Sequence, residues 1–144
     1  MPTVTDVIAK KGKEVVTAPI SASVLEAARL MNDRGIGGVV VTENGRVVGI
    51  FSERDILRRV VAEQRDPSTT VLRDVMTTPV VDAPPDTTLE DCRAIMTERR
   101  IRHIPILDGD VLCGIITIGD ILASQVREQE NQIAYLNAYV YDLR

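Results

Sequence analysis

The sequence predicts an α/β (α+β) protein of two β-α-β-β-α repeats, packed sheet to sheet with pseudo-twofold symmetry and followed by an extended C-terminal helix. Three observations predict it. One segment recurs later in the chain, short apolar runs alternate with helical periodicity, and 44% of the 144 residues are hydrophobic while 26% are charged. This composition is typical of a globular protein. A unit of about 60 residues buries too little surface to be stable alone, so the two repeats are expected to share a core.

The duplication appears at a constant offset of 65 positions. Gly49–Leu57 resembles Gly114–Leu122, and the same offset pairs Val15–Pro19 with Val80–Pro84 without a gap. A gapless match over a whole unit indicates an internal repeat. The expected organisation is a first repeat at 3–64, a linker at 65–70, a second repeat at 71–127 and a C-terminal helical extension at 128–144.

Each repeat begins with a short apolar run that predicts a strand, at Val15–Ala18 and at Val80–Ala83, and proline ends both runs. A helix follows in each repeat. Its start is predicted by the spacing of a capping box, in Ser23–Glu26 and in Thr87–Glu90. In such a box the hydroxyl accepts a backbone amide while the glutamate reaches back.

A hairpin then follows in each repeat. Asn44-Gly45 and Asp108-Gly109 are turn residues that tolerate positive φ. The strands predicted around them are Val39–Thr42, Arg46–Phe51, Ile104–Leu107 and Val111–Ile116. A closing helix is expected to start at Ser52 in the first repeat and at Thr117 in the second.

Two hydroxyl residues, Ser52 and Thr117, stand where a strand turns into a helix. Free amides and the positive end of the helix dipole would face a ligand there. Asp55 and Asp120 follow three residues later, and a carboxylate can accept hydrogen bonds from both hydroxyls of a ribose. Ser-x-x-Asp and Thr-x-x-Asp are also simple capping pairs. Both roles stay open, and one residue can serve both.

Basic residues crowd the approach to the second hairpin, at Arg99, Arg100, Arg102 and His103. A guanidinium group matches the geometry of phosphate. The alternative is a solvated charge run, because cations are favoured at the end of a helix. Arg102 and His103 adjoin the strand and are the better phosphate candidates, with His103 either neutral or charged.

The order of elements, with Gly-apolar-apolar-Ser/Thr-x-x-Asp ending each hairpin, resembles the CBS (cystathionine β-synthase) domain family over residues 3–127. Stand-alone bacterial pairs are the most similar, at Arg99–Pro105 and Ser52–Asp55. The resemblance implies a tandem pair, or Bateman module, whose clefts bind AMP, ADP, ATP, NAD(H) or S-adenosylmethionine. It also implies a flat homodimer.

The resemblance further implies two clefts, each formed by the Asp of one repeat and the strand start of the other. The first would combine Ser52, Arg54, Asp55, Val81, Arg102 and His103. The second would combine Thr117, Asp120, Val16, Thr17, Ile36 and Gly37. Because Gly37-Gly38 replaces the basic pair there, the second cleft is expected to hold phosphate less strongly or to hold another ligand.

The C-terminal segment carries apolar residues at alternating spacings of three and four, interrupted by Gln129. The series is Leu122, Val126, Ile133, Leu136, Val140 and Leu143. Such a helix has an apolar seam that needs a partner. Packing on its own domain, contact with a second copy and docking to another protein all remain open.

Several function classes fit the sequence poorly. One His and two scattered cysteines, Cys92 and Cys113, leave little for a nucleophile–base pair or a metal site, so neither an enzyme nor a catalytic cofactor is expected. A formal net charge of −4 and the scarcity of aromatics disfavour nucleic acid. No apolar run approaches the length of a membrane span, and a cytoplasmic location is expected.

The predicted function is therefore regulatory. The chain is expected to sense a ligand or the energy state by binding an adenine nucleotide, through a change in cleft or dimer geometry that a regulated partner protein could read. The alternative is a structural or protein-interaction module with vestigial ligand sites.

Overall fold

A computed structural model describes the backbone of residues 2–12 and 14–142, and their side chains as far as residue 140. The first repeat and its approach contain α1 (Val4–Lys11), β1 (Thr17–Pro19), α2 (Val24–Arg34), β2 (Gly38–Glu43), β3 (Arg46–Ser52) and α3 (Glu53–Asp55), which continues as a π-helix over Ile56–Val61. The remainder contains α4 (Leu72–Val75), α5 (Leu89–Arg99), β4 (His103–Asp108), β5 (Val111–Thr117) and α6 (Ile118–Asp142). The predicted α/β class with two β-α-β-β-α repeats and a long C-terminal helix is confirmed.

The two sheets differ in their first strand. In the first repeat β1 pairs parallel to β2 and β2 pairs antiparallel to β3. In the second repeat β4 pairs with β5, and the strand predicted at Val80–Ala83 is reduced to a single bridge between Ala83 and Ile106. Prolines at positions 79, 84 and 85 surround this segment. Since proline has no N–H to donate, they leave too few donors for a longer ladder.

The helix caps correct one predicted position. Ser23 caps α2 by accepting the backbone amide of Glu26 at 3.1 Å, as predicted. The cap of α5 is Thr88, not Thr87, because the hydroxyl of Thr88 accepts the amide of Asp91 at 3.1 Å. The hydroxyl of Thr87 instead donates to the carbonyl of Pro84.

The hairpin turns also differ slightly from prediction. Asn44 and Gly45 form the first turn with φ of 52° and 78°, as expected for a two-residue turn. In the second hairpin Asp108 pairs with Val111. The turn residues are therefore Gly109 and Asp110, one position later than predicted, and Gly109 takes the positive φ of 61°.

Two short helices that the sequence reading missed, α1 and α4, are exchanged between the repeats. Although α1 lies at the start of the first repeat, Val4 and Ile8 are buried in the core of the second. Conversely, Leu72 and Val75 of α4 are buried in the core of the first. The packing units therefore do not follow the order of the chain, and each core is completed by a helix from outside its own repeat.

The two repeats meet where equivalent residues face each other. Gly38 and His103 are separated by the repeat offset of 65 positions and occupy the start of β2 and of β4. A Cβ atom on Gly38 would lie 3.1 Å from both Cε1 and Nε2 of His103. The imidazole thus occupies the space beside a glycine, and a second large side chain at this position would crowd it.

The last helix extends past both cores. Every described side chain from Val126 to Val140 is exposed. No helix among the described residues is both long enough and apolar enough to cross a membrane.

Candidate functional site

A cavity of about 450 Å³ lies between the two repeats, within the size range of small-molecule sites. Its lining includes all six residues predicted for the first cleft, namely Ser52, Arg54, Asp55, Val81, Arg102 and His103. The end of β3 and α3 supply the first three, the segment before α5 supplies Val81, and the start of β4 with the residue before it supplies the last two. The structure thus brings together residues up to 51 positions apart in sequence.

Asp55 is the most buried acidic side chain of this cavity, with 5% of its surface exposed. One carboxylate oxygen accepts the backbone N–H of Ser52 at 2.9 Å and its hydroxyl at 3.3 Å. The other accepts the hydroxyl of Thr77 at 2.9 Å and lies 3.7 Å from Nε of Arg59. The capping role is therefore real. Because each carboxylate oxygen has two lone pairs, a ligand hydroxyl could still donate to it.

Arginine dominates the charge of the cavity wall. Six arginines line it against two acidic side chains, Glu53 and Asp55. The six are Arg54, Arg58, Arg59, Arg99, Arg100 and Arg102. Guanidinium groups present forked donors that suit phosphate oxygens, so the wall is complementary to a polyanion.

Two of these arginines are connected through the backbone. Arg100 ends α5 with a left-handed φ of 55°, where the equivalent residue of the first repeat is Gly35 with φ of 63°. Arg54 donates a hydrogen bond from Nη1 to the carbonyl oxygen of Arg100 at 2.7 Å. A residue with a side chain is unfavourable in this conformation. The arginine at this position nevertheless adds a cation to the cavity wall, where the first repeat has a glycine.

His103 lines the 450 Å³ cavity at the start of β4. Burial lowers the pKa of His103, and the nearby cations Lys11 and Arg102 act in the same direction, whereas Glu53 and Asp120 oppose them. The imidazole is therefore held toward its neutral form, in which one nitrogen donates and the other accepts.

The second predicted cleft has a different arrangement. A cavity of about 260 Å³ beside Asp120 is lined by α1 and α6. Nζ of Lys11 lies 2.7 Å from the Asp120 carboxylate and also donates to the carbonyl oxygen of Ile115 at 2.8 Å. Thr117 caps α6, donating its backbone N–H to Asp120 at 2.9 Å.

The remaining residues predicted for the second cleft do not gather around Asp120. Gly37 and Thr117 line the 450 Å³ cavity. Val16, Thr17 and Ile36 are absent from the lining of both cavities described here. The physical reason is α1, whose lysines and Asp6 occupy the approach to Asp120.

Sequence reasoning missed Thr77, Arg59 and Lys11. The four-residue spacing of Asp55 and Arg59 on one helix was a usable signal. Thr77 and Lys11 carried no signal, since Thr77 follows α4 and Lys11 ends α1, and both reach the carboxylates of Asp55 and Asp120 from other parts of the chain. Cys92 is buried on α5, where burial raises the pKa of its thiol, and Cys113 is half-buried in β5.

Comparison with known proteins agrees with this architecture. The CBS domain profile matches residues 4–62 and 72–127. The chain is 35% identical to the CBS domain-containing protein YhcV of Bacillus subtilis, over 86% of this chain and 88% of that protein. It is 31% identical to the mitochondrial CBS domain-containing protein CBSX3 of Arabidopsis thaliana, over 96% of this chain and 71% of that protein.

Solved structures are equally similar. A Burkholderia ambifaria protein with CBS domains, provisionally assigned to signal transduction, has a TM-score of 0.85 at 35% identity, covering 89% of this chain and 96% of that chain. A CBS-domain-containing protein of Agrobacterium tumefaciens has a TM-score of 0.82 at 36% identity, covering 86% and 99%. With two matched repeats, two exchanged helices and a cleft between them, this chain belongs to the CBS domain family as a tandem pair.

Proposed function

We propose that this protein is a regulatory module that binds an adenine nucleotide in the 450 Å³ cavity and transmits its occupancy by a change of geometry. The observation that carries the proposal is the convergence of six arginines and the buried Asp55 on one cavity between two repeats. The role proposed is binding rather than catalysis, and no catalytic cofactor is invoked.

The cavity offers a distinct environment for each part of a nucleotide. Asp55 and Ser52 provide an acceptor and a hydroxyl for the ribose. The arginines provide donors for phosphate. Apolar side chains for an adenine ring are also present in the wall: Ile50, Val80, Val81, Ile101 and Ile118.

The charge of the wall favours anionic nucleotides. AMP, ADP, ATP and NAD(H) carry phosphate, whereas S-adenosylmethionine carries a positive sulfonium group that would meet the same arginines. We therefore expect affinity to increase with the number of phosphates. We expect S-adenosylmethionine to bind more weakly than any of them.

The two clefts are proposed to be unequal. Lys11 neutralises Asp120 and occupies its carboxylate, and Gly37-Gly38 provide no counterpart to Arg102-His103. A nucleotide entering the second cleft would have to displace this ion pair without gaining the phosphate donors. We therefore propose one nucleotide per chain.

Self-association would make the signal readable by a partner protein. Leu57 and Val61 are 60% and 61% exposed, and their repeat equivalents Leu122 and Val126 are 54% and 53% exposed. Matched apolar surfaces of this kind fit a homodimer. The CBS-CP12 protein of bloom-forming cyanobacteria, a structural relative at 29% identity and TM-score 0.77, is a hexamer. A ligand would act by its differential affinity for two arrangements.

The proposed compartment is the cytoplasm. Cys92 and Cys113 are both free thiols, one buried and one half-buried, as is usual for proteins of reducing compartments.

Thermal unfolding and calorimetry test the proposal with AMP, ADP, ATP, NADH and S-adenosylmethionine. At 100 times its dissociation constant, a ligand should stabilise the fold by about 2.7 kcal/mol, a shift of several degrees. Arg102→Ala removes an exposed cation of the cavity and should abolish most of the shift. Arg29→Ala removes an exposed arginine of α2 outside the cavity lining and should leave it unchanged.

The competing function is an interaction module with vestigial sites. It is favoured by one observation, that both Asp55 and Asp120 already accept hydrogen bonds from groups of the protein itself. No shift with any of the five ligands, for wild type and both variants alike, would establish this alternative and reject nucleotide sensing.

A further inference from the structure

The C-terminal helix α6 has an exposed apolar seam beyond the second core. At 1.5 Å per residue, its 25 residues span about 37 Å. Ile133, Leu136 and Val140 are 59%, 57% and 51% exposed. Packing of this seam on its own domain, one of the alternatives that the sequence left open, does not occur among the described side chains from 126 to 140.

The seam has the residue pattern of a heptad repeat. Val126, Ile133 and Val140 occupy one core position, a, in three successive heptads. Leu122, Gln129 and Leu136 occupy the other, d. In parallel coiled coils, β-branched residues at a combined with leucine at d favour two strands. The identity of the residues, as well as their spacing, thus indicates a second helix of the same kind.

We propose that α6 forms a parallel, in-register, two-stranded coiled coil with α6 of a second copy of this chain. The second repeats of the two copies then lie side by side, in a head-to-head dimer. This inference rests on the self-association in the proposed function, and it is independent of nucleotide binding.

Gln129 distinguishes the parallel arrangement from the antiparallel one. In a parallel, in-register pair, each core residue meets its own copy, so the two Gln129 amides can donate to and accept from each other. In an antiparallel pair, Gln129 would face an apolar position and its amide would be buried without a partner. A single polar core residue of this type specifies register and orientation.

The flanking positions add no repulsion. Among the residues beside the seam, Gln125, Glu130, Gln132, Asn137 and Tyr139, only Glu130 is charged. In the parallel pair the neighbour across from Glu130 is Gln125 of the second copy, since g positions face the e positions that follow. Like charges therefore do not oppose each other along this segment.

Cysteine cross-linking of the full chain tests the arrangement. Gln129→Cys places a thiol on the seam, and Asn131→Cys places one on the opposite face as a matched control. Under mild oxidation, most Gln129→Cys protein should run as a disulfide-linked dimer on a non-reducing gel. Asn131→Cys and wild type should stay largely uncross-linked, because disulfides need Cα atoms within about 7 Å.

Light scattering coupled to size exclusion completes the test. Wild type should be a dimer, and Leu136→Glu, at an exposed position that leaves the fold intact by circular dichroism, should weaken dimerisation more than tenfold. A monomeric wild type, or a dimer in which Gln129→Cys cross-links no better than Asn131→Cys, would overturn the proposal. If Gln129→Cys cross-links while no nucleotide binds, the coiled coil stands and the proposed function fails.

Discussion

At the scale of the residue, Arg100 has an unfavourable backbone conformation at a position where its side chain lines the cavity. It ends α5 in the left-handed region at φ of 55°, where Gly35 ends α2 with φ of 63°. A non-glycine residue costs roughly 1 kcal/mol there. Strain of this kind concentrates at functional sites, and here the side chain concerned lines the cavity.

Replacing Arg100 with glycine should therefore separate stability from binding. Arg100→Gly should raise Tm by about 2–4 °C, since about 1 kcal/mol of backbone strain is relieved, and should weaken ATP binding. The matched control is Arg99→Gly, one residue earlier within the helix, which should lower Tm because glycine is unfavourable there. Calorimetry and thermal unfolding measure both quantities. A lower Tm for Arg100→Gly would contradict the assignment of strain.

The lowered pKa of His103 predicts a specific pH dependence. The unfolded chain titrates near 6.5, and the folded protein binds this proton only at lower pH. As pH falls below about 6.5, the unfolded state binds more protons, so this contribution to stability is present above that pH and is lost below it. The urea midpoint should thus fall more between pH 7.5 and pH 5 for wild type than for His103→Gln. Equal losses in the two proteins would show that His103 does not titrate differently on folding.

At the scale of the element, the exchanged helices decide which core each part of the chain stabilises. Ile8 of α1 is 7% exposed and packs with the second core, and Leu72 of α4 is fully buried in the first. Gly114 permits the approach of α1, since a Cβ atom there would lie 2.6 Å from Cδ1 of Ile8. Each core is thus completed by a short helix that belongs to the other repeat.

Truncation of these two side chains should have crossed effects. Ile8→Ala and Leu72→Ala should each destabilise the fold by roughly 2–5 kcal/mol. Native-state hydrogen exchange should show protection lost first around Ile106 for Ile8→Ala, although residue 8 belongs to the first repeat. For Leu72→Ala it should be lost first around Val40. Loss in the opposite order would mean that the helices are not exchanged.

At the scale of the whole molecule, we expect the two clefts to be unequal: the cleft beside Asp55 should bind a nucleotide, and the cleft beside Asp120 should not. Isothermal titration should give one nucleotide per chain. Asp55→Asn should weaken binding, whereas Asp120→Asn should leave affinity unchanged because Lys11 already occupies that carboxylate. Raising the salt concentration should weaken binding, since the interaction is mostly with arginines. Two equivalent nucleotides per chain would contradict the proposed inequality.

Much of this architecture follows from local chemistry. Turn residues, caps and the offset of 65 positions predicted both hairpins and the main helices, with small errors at Thr88 and Gly109. Those features depend on a few neighbouring residues, whose backbone preferences are readable in order. The grouping of the first-cleft residues was predicted from the resemblance to the CBS domain family. The repeat pattern predicted two units with the same order of elements, because similar sequences adopt similar folds.

Other features depend on which parts of the chain come together. Lys11 reaches Asp120 across 109 positions, and Thr77 reaches Asp55 across 22. The short helix that ends at Lys11 and the one that precedes Thr77 have too little periodicity to be recognised alone. By itself, the sequence determined the duplication and the family, because both are visible in short-range patterns that recur along the chain. Only the tertiary structure decided that α1 crosses to the second core and places Lys11 against Asp120, since that depends on long-range packing.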